Sequence, residues 1–113
     1  MATVLTNFVN QQEIEDVVKE IPRLLAPDVI YMRYSLRNDS SGDPAIFFRV
    51  VLSDDACRPG MLLTSTRKVK AAVLDRLEPY RRWGRYPYFN FRSASEQAED
   101  EDPAWRPTQV VSR

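Results

Sequence analysis

The stretch VIYMRYSLRNDSSGDPAIFFRVVLS, residues 29–53, decides the fold. Ile30, Met32, Tyr34 and Leu36 alternate with Tyr31, Arg33, Ser35 and Arg37. Side chains of a strand point to opposite faces with period two, so this pattern predicts a strand with one buried face. Asn38-Asp39-Ser40-Ser41-Gly42-Asp43-Pro44 is a dense turn cluster. Ala45 to Ser53 then reads as a second strand. Ile46, Phe48, Val50 and Leu52 form one side, and Ala45, Phe47 and Val51 make the other nearly as apolar. A strand apolar on both sides belongs at the centre of a sheet. A connection this short pairs the two strands most simply as an antiparallel hairpin.

Outward from the hairpin, the period changes. Upstream, Asn10-Gln11-Gln12-Glu13 resembles a capping box, and Ile14, Val17, Val18, Ile21, Leu24 and Leu25 follow at helical spacing. Pro22 should kink this helix or end it locally. Downstream, Leu62, Thr66, Val69, Val73 and Leu77 predict a second helix that stops at Glu78-Pro79. Tyr86 to Arg92 reads as a third strand. The expected architecture is therefore α/β in the order α-β-β-α-β, with two helices packed on a three-stranded mixed sheet. Residues 1–92 make one domain, and residues 93–113 an extended acidic C-terminal tail.

Composition removes several chemistries. The 113 residues suit one domain and contain no histidine and a single cysteine, Cys57. Histidine-dependent triads, histidine-ligated metals, thiolate zinc sites, CxxC redox chemistry and an internal disulfide are all excluded. No metal and no cofactor is expected. No apolar run approaches the length of a membrane span, and Met1 to Phe8 lacks the charge-then-apolar pattern of a secretory signal, so cytoplasmic residence is the expectation. Asp39, Asp43, Asp54 and Asp55 are the carboxylates near strand ends. Asp39 and Asp43 flank a turn that forms an Asx-turn or holds a cation. Asp54 and Asp55 are adjacent, so only one can face a given site.

The formal net charge is zero, yet charge is segregated. Residues 1–57 carry five basic and nine acidic groups, residues 58–92 nine and two, and residues 93–113 two and five. In the basic segment Arg76, Arg81, Arg82, Arg85 and Arg92 interleave with Tyr80, Trp83, Tyr86, Tyr88, Phe89 and Phe91. Arginines pair with phosphates while aromatic rings stack on bases, a mixture that suits single-stranded RNA. The plainer alternative is a solvated helix face beside aromatics that fill the core. The acidic tail is expected either to fold back over the basic segment or to reach a partner, with Trp105 as an anchor.

Tyr34-Ser35-Leu36-Arg37, Ser41-Gly42-Asp43-Pro44 and Ala45-Ile46-Phe47-Phe48-Arg49-Val50-Val51 carry a family resemblance. In order, these elements resemble the opening of minimal nucleotidyltransferases of the polymerase-β type, such as those of bacterial toxin–antitoxin pairs. That family holds magnesium with two strand carboxylates, which neutralise triphosphate charge. Ala45 and Phe47 stand at those positions, and Tyr34 stands where the tight-turn glycine would be. The resemblance therefore implies a catalytically inactive version. The stretch from Pro87 to Ala98, with Pro103-Ala104-Trp105, also resembles small bacterial proteins found beside HEPN-type helical domains. This implies a non-catalytic, antitoxin-like subunit with a helical HEPN-type partner. Three functions are thus expected in turn: a protein-interaction subunit, an RNA-binding module using residues 76–92, and a residual nucleotidyltransferase. Candidate contact residues for the first two are Arg76, Arg81, Arg82, Trp83, Arg85, Tyr86, Tyr88, Arg92 and Trp105.

Overall fold

The computed structural model describes residues 9–100 and 102–105. Helix α1 spans Gln11–Leu24, strand β1 Val29–Asn38, strand β2 Pro44–Leu52 and helix α2 Leu62–Leu77. A short helix α3, Pro79–Trp83, leads into strand β3, Tyr86–Ser93. Helix α4, Ala94–Asp100, and a single 3-10 turn, Pro103–Trp105, follow. The mixed α/β fold matches the sequence reading. The sheet order is β1-β2-β3, with β1 antiparallel and β3 parallel to β2. The hairpin forms as expected, and β2 is the central strand.

The core lies on one face of this sheet. Met32, Ile46, Phe48, Val50 and Leu52 meet Ile14, Val17 and Ile21 of α1 and Val69, Val73 and Leu77 of α2. Phe48 is fully buried, with Phe89 stacked 5.0 Å away on β3. Chain connectivity explains the layer. A parallel β2–β3 pair needs a long crossover, and α2 supplies it.

Local details depart from the sequence pattern in four places. Ile30 is exposed and Val29 buried, the reverse of the simple alternation. The register shifts between Val29 and Tyr31, so Ile30 is an extra residue in a β-bulge and the face assignment flips on its far side. In α2, Ser65 rather than Leu62 occupies the buried position, and its hydroxyl donates to the carbonyls of Ala56 and Met61 at 3.0 Å. Pro22 does not break α1 at its own position; the helix runs on to Leu24, close enough to its end that little is lost. Finally, the segment expected as a tail contains α4. Ser93 Oγ accepts from Glu96 N–H at 3.1 Å and Glu96 Oε1 accepts from Ser93 N–H at 2.8 Å, a reciprocal capping box. Residues 106–113 of that segment lie outside the described residues.

The capping box expected at α1 is only half made. Asn10 Oδ1 accepts from Glu13 N–H at 3.1 Å, but the Glu13 carboxylate turns to Arg82, bonding both guanidinium nitrogens at 2.5 and 2.7 Å. Glu78, at φ +43°, ends α2 in a left-handed conformation and Pro79 opens α3 one residue later.

Candidate functional site

Register settles which side chains share the sheet face opposite the core. Four cross-strand rows run over it: Arg37–Ala45–Tyr86, Ser35–Phe47–Tyr88, Arg33–Arg49–Asn90 and Tyr31–Val51–Arg92. These twelve positions hold four arginines and four aromatic rings, and no carboxylate. Each strand contributes because alternate residues of one strand point the same way.

The face divides into two halves. At the hairpin end, the Phe47 and Tyr88 rings stack at 5.1 Å with 19° between their planes. The Arg37 guanidinium lies 4.1 Å from the Phe47 ring centroid, within cation–π range. The Tyr88 hydroxyl donates to Asp39 Oδ2 at 2.8 Å. That bond holds the Asp39 carboxyl below its usual range and pushes the Tyr88 phenol up. Asp39 Oδ1 also accepts from the N–H groups of Ser41 and Asp43, so the turn is an Asx-turn. An open cavity of about 520 Å³ is lined by Arg37, Asn38, Asp39, Ser40, Phe47 and Tyr88. Beside it, the buried Ser35 Oγ makes no hydrogen bond to a described residue.

At the other end the face is covered by the chain's own C-terminal segment. Asp54, just beyond β2, accepts from Ser95 N–H at 3.0 Å and from Ser95 Oγ, which ties α4 across the strand ends. The 3-10 turn then lies against β2. Arg33 Nη1 donates to the Pro103 carbonyl at 3.1 Å. Arg92 donates to Gln97 Oε1 at 2.9 Å and Asp100 Oδ2 at 3.3 Å, and its guanidinium sits 4.8 Å from the Trp105 ring. Arg49 lies beside Arg33 across the β1–β2 pairing. Burial, then the charges of Arg37 and Arg33, push its pKa down, while Asp102 opposes the shift. Among the charges of this face, repulsion between neighbouring arginines is thus opposed only in small part by an acidic residue from the C-terminal segment.

The residues singled out in the sequence scatter. Arg76 pairs with Glu20 and Arg82 with Glu13, so both point to α1 on the opposite side of the sheet. Arg81 of α3 pairs with Glu78, the residue that precedes the helix. Trp83 is a core residue, 5% exposed. Arg85 Nη1 donates to the Ala45 carbonyl at 2.6 Å at the sheet margin. Tyr86, Tyr88, Arg92 and Trp105 lie on or over the far face, the two tyrosines toward the hairpin and Arg92 with Trp105 at the other end, and Tyr86 is stacked 4.6 Å from Tyr80. Sequence reasoning missed Arg33, Arg37, Phe47 and Arg49. The signal was present, since Arg33, Ser35 and Arg37 alternate in β1, but those arginines sit in the acidic part of the chain. Segment charge hid them.

Ala45 and Phe47 lie on this far face. Among the described residues, no group of three or more histidine, cysteine, aspartate or glutamate side chains is placed to hold a metal ion. The half-buried Cys57 thiol is pushed up in pKa by burial, then by Glu96 and Asp54, which disfavours the nucleophilic thiolate. No helix among the described residues is long and apolar enough to cross a membrane.

No family model, curated protein or solved structure matches this chain. The class is therefore defined by fold and geometry. It is a small α/β domain whose mixed three-stranded sheet has an apolar core face and an arginine–aromatic outer face.

Proposed function

We propose that this protein binds single-stranded nucleic acid, RNA in the first instance, on the outer face of its sheet. The observation that carries the reading is the twelve-position face with four arginines, four aromatic rings and no carboxylate. Arginines neutralise phosphates, and aromatic rings or guanidinium planes stack on unpaired bases; a sheet holds both at fixed spacing. An A-form duplex hides its base faces, so this flat platform favours the unpaired strand. The contact set moves from residues 76–92 to Arg33, Arg37, Phe47, Arg49, Tyr88 and Arg92.

The test is fluorescence anisotropy with a labelled single-stranded RNA of about twenty nucleotides, a length chosen to exceed the site sizes of about 4–16 nucleotides of single-strand binding modules. Affinity should fall steeply with salt, and Arg37→Ala should reduce the slope of log K against log salt by about one. Arg81→Ala, which changes a local pair on α3, should leave the slope unaltered. Binding that ignores salt, or that Arg37→Ala leaves unchanged, would refute this reading.

A second reading, a non-catalytic interaction subunit with a helical partner of the HEPN type, has one observation in its favour. Met61, Leu62 and Leu63 are exposed in succession at the start of α2, Leu63 by 61%. Leu62 lines a groove that Cys57, Phe89 and Phe91 share with the polar Asn90, Arg92 and Glu96. Its test is co-purification of a stoichiometric helical partner that Leu63→Glu displaces.

A further inference from the structure

We infer that residues 94–100 and 102–105 are an internal mimic of the nucleic acid, occupying half of the binding face and leaving it when a strand binds. This rests on the nucleic-acid reading above and deepens it by saying how that face is regulated.

The contacts have the chemistry of the ligand they would replace. Asp100 gives Arg92 the anionic oxygen that a phosphate would give, and Trp105 gives the same guanidinium the flat π-surface that a base would give. The Pro103 carbonyl gives Arg33 an acceptor, and Asp102 places negative charge by Arg49. Two of the face's four arginines are thus bonded by one short acidic segment, and the charge of Asp102 reaches a third. Arg37 instead lies on Phe47, in the uncovered half.

The cover is built to be anchored at one end and weak at the other. Its near end is fixed by the Ser93–Glu96 capping box and the Asp54–Ser95 bonds. Its far end holds by polar contacts of exposed or half-buried groups, and α4 contributes no buried residue to the core. Exposed ion pairs are individually weak and are screened by salt. A strand bearing several phosphates gains from counterion release at each one, so it displaces a cover with only a few charges. The uncovered half around Phe47 and Tyr88 supplies the first landing place. The covered half then extends the contact.

Binding of the labelled RNA to the full chain is compared with the Asp100→Asn/Asp102→Asn/Trp105→Ala variant. A cover closed in about nine molecules in ten lowers apparent affinity about tenfold, so the variant should bind about tenfold tighter. Hydrogen exchange on the wild-type chain gives an independent readout. Amides in residues 94–100 and 102–105 should lose protection when RNA binds. If RNA binds but the variant is no tighter, or if those residues keep or gain protection in the complex, the mimic is overturned and the nucleic-acid reading stands. If neither the full chain nor the variant binds RNA, both are overturned.

Discussion

The two faces of one sheet are made from alternate residues of the same strands, yet they have opposite chemistry. Phe48 and Phe47 are neighbours in β2. Phe48 is sealed beneath α1 and α2, whereas Phe47 is half-buried between an arginine and a tyrosine. The core face gains its stability from the removal of apolar surface from water, which is indifferent to direction. The outer face keeps guanidinium groups half-exposed, where they retain hydration and remain able to exchange partners. The difference teaches that burial of rings alone does not mark a site. What marks it is rings held beside cations with no carboxylate in the same strands.

The sharpest way to break this comparison is to truncate each phenylalanine in turn. Phe48→Ala should destabilise the fold by about 3–5 kcal/mol in urea unfolding, the usual cost of emptying a core phenylalanine site. Phe47→Ala should cost about 1 kcal/mol or less of stability and yet weaken RNA binding about tenfold, since stacking of one base contributes about 1–3 kcal/mol. Equal losses of stability would abolish the distinction between the faces.

A smaller effect separates the two ends of the outer face. Ser93→Ala removes the side-chain cap of α4 and should cost about 1 kcal/mol of local helix stability. Hydrogen exchange should speed up in residues 94–100 while the amides of β2 are unaffected. Uniform acceleration through β2 would mean that α4 belongs to the core cooperative unit.

The smallest effect is expected from acid. Asp54 is held below its ordinary pKa by the hydroxyl and N–H of Ser95, and Glu96 by the N–H and hydroxyl of Ser93. A carboxylate whose folded pKa is depressed stabilises above its unfolded value and loses that contribution as pH falls through the folded one. Attachment of α4 should therefore be intact above about pH 5 and weaken progressively below about pH 4, given ordinary carboxylate values. Exchange protection of residues 94–100 measured between pH 6 and pH 3 checks it; the effect should be modest because both groups are exposed. Protection that rises on acidification would reverse the sign and remove these bonds as the anchor.

Much of the fold was legible because its signals are local. The alternation over Tyr31 to Arg37 reports a strand, Asn38 to Pro44 a turn, and Glu78-Pro79 a helix end, each from residues a few positions apart. The central place of β2 followed from its apolar pattern. The bulge at Ile30 was not legible, since one extra residue leaves composition unchanged while reversing the face. Nor was the fate of the basic segment. Arg76 and Arg82 read as candidate contacts until α1 brought Glu20 and Glu13 alongside them.

By itself, then, the amino-acid sequence left out the helices α3 and α4 but determined the order α1-β1-β2-α2-β3, the hairpin and the exclusion of histidine and thiolate-cluster chemistry. These depend on residue identity and short-range period. Only the tertiary structure decided which arginines act together. Arg33 and Arg49 face each other through antiparallel pairing, and Arg92 joins the next row through a parallel register reached by way of α2. Coulomb interaction falls off with distance through space, not with separation along the chain. Charges drawn from an acidic half and a basic half of the sequence therefore converge on one face, with the acidic C-terminal segment laid over them.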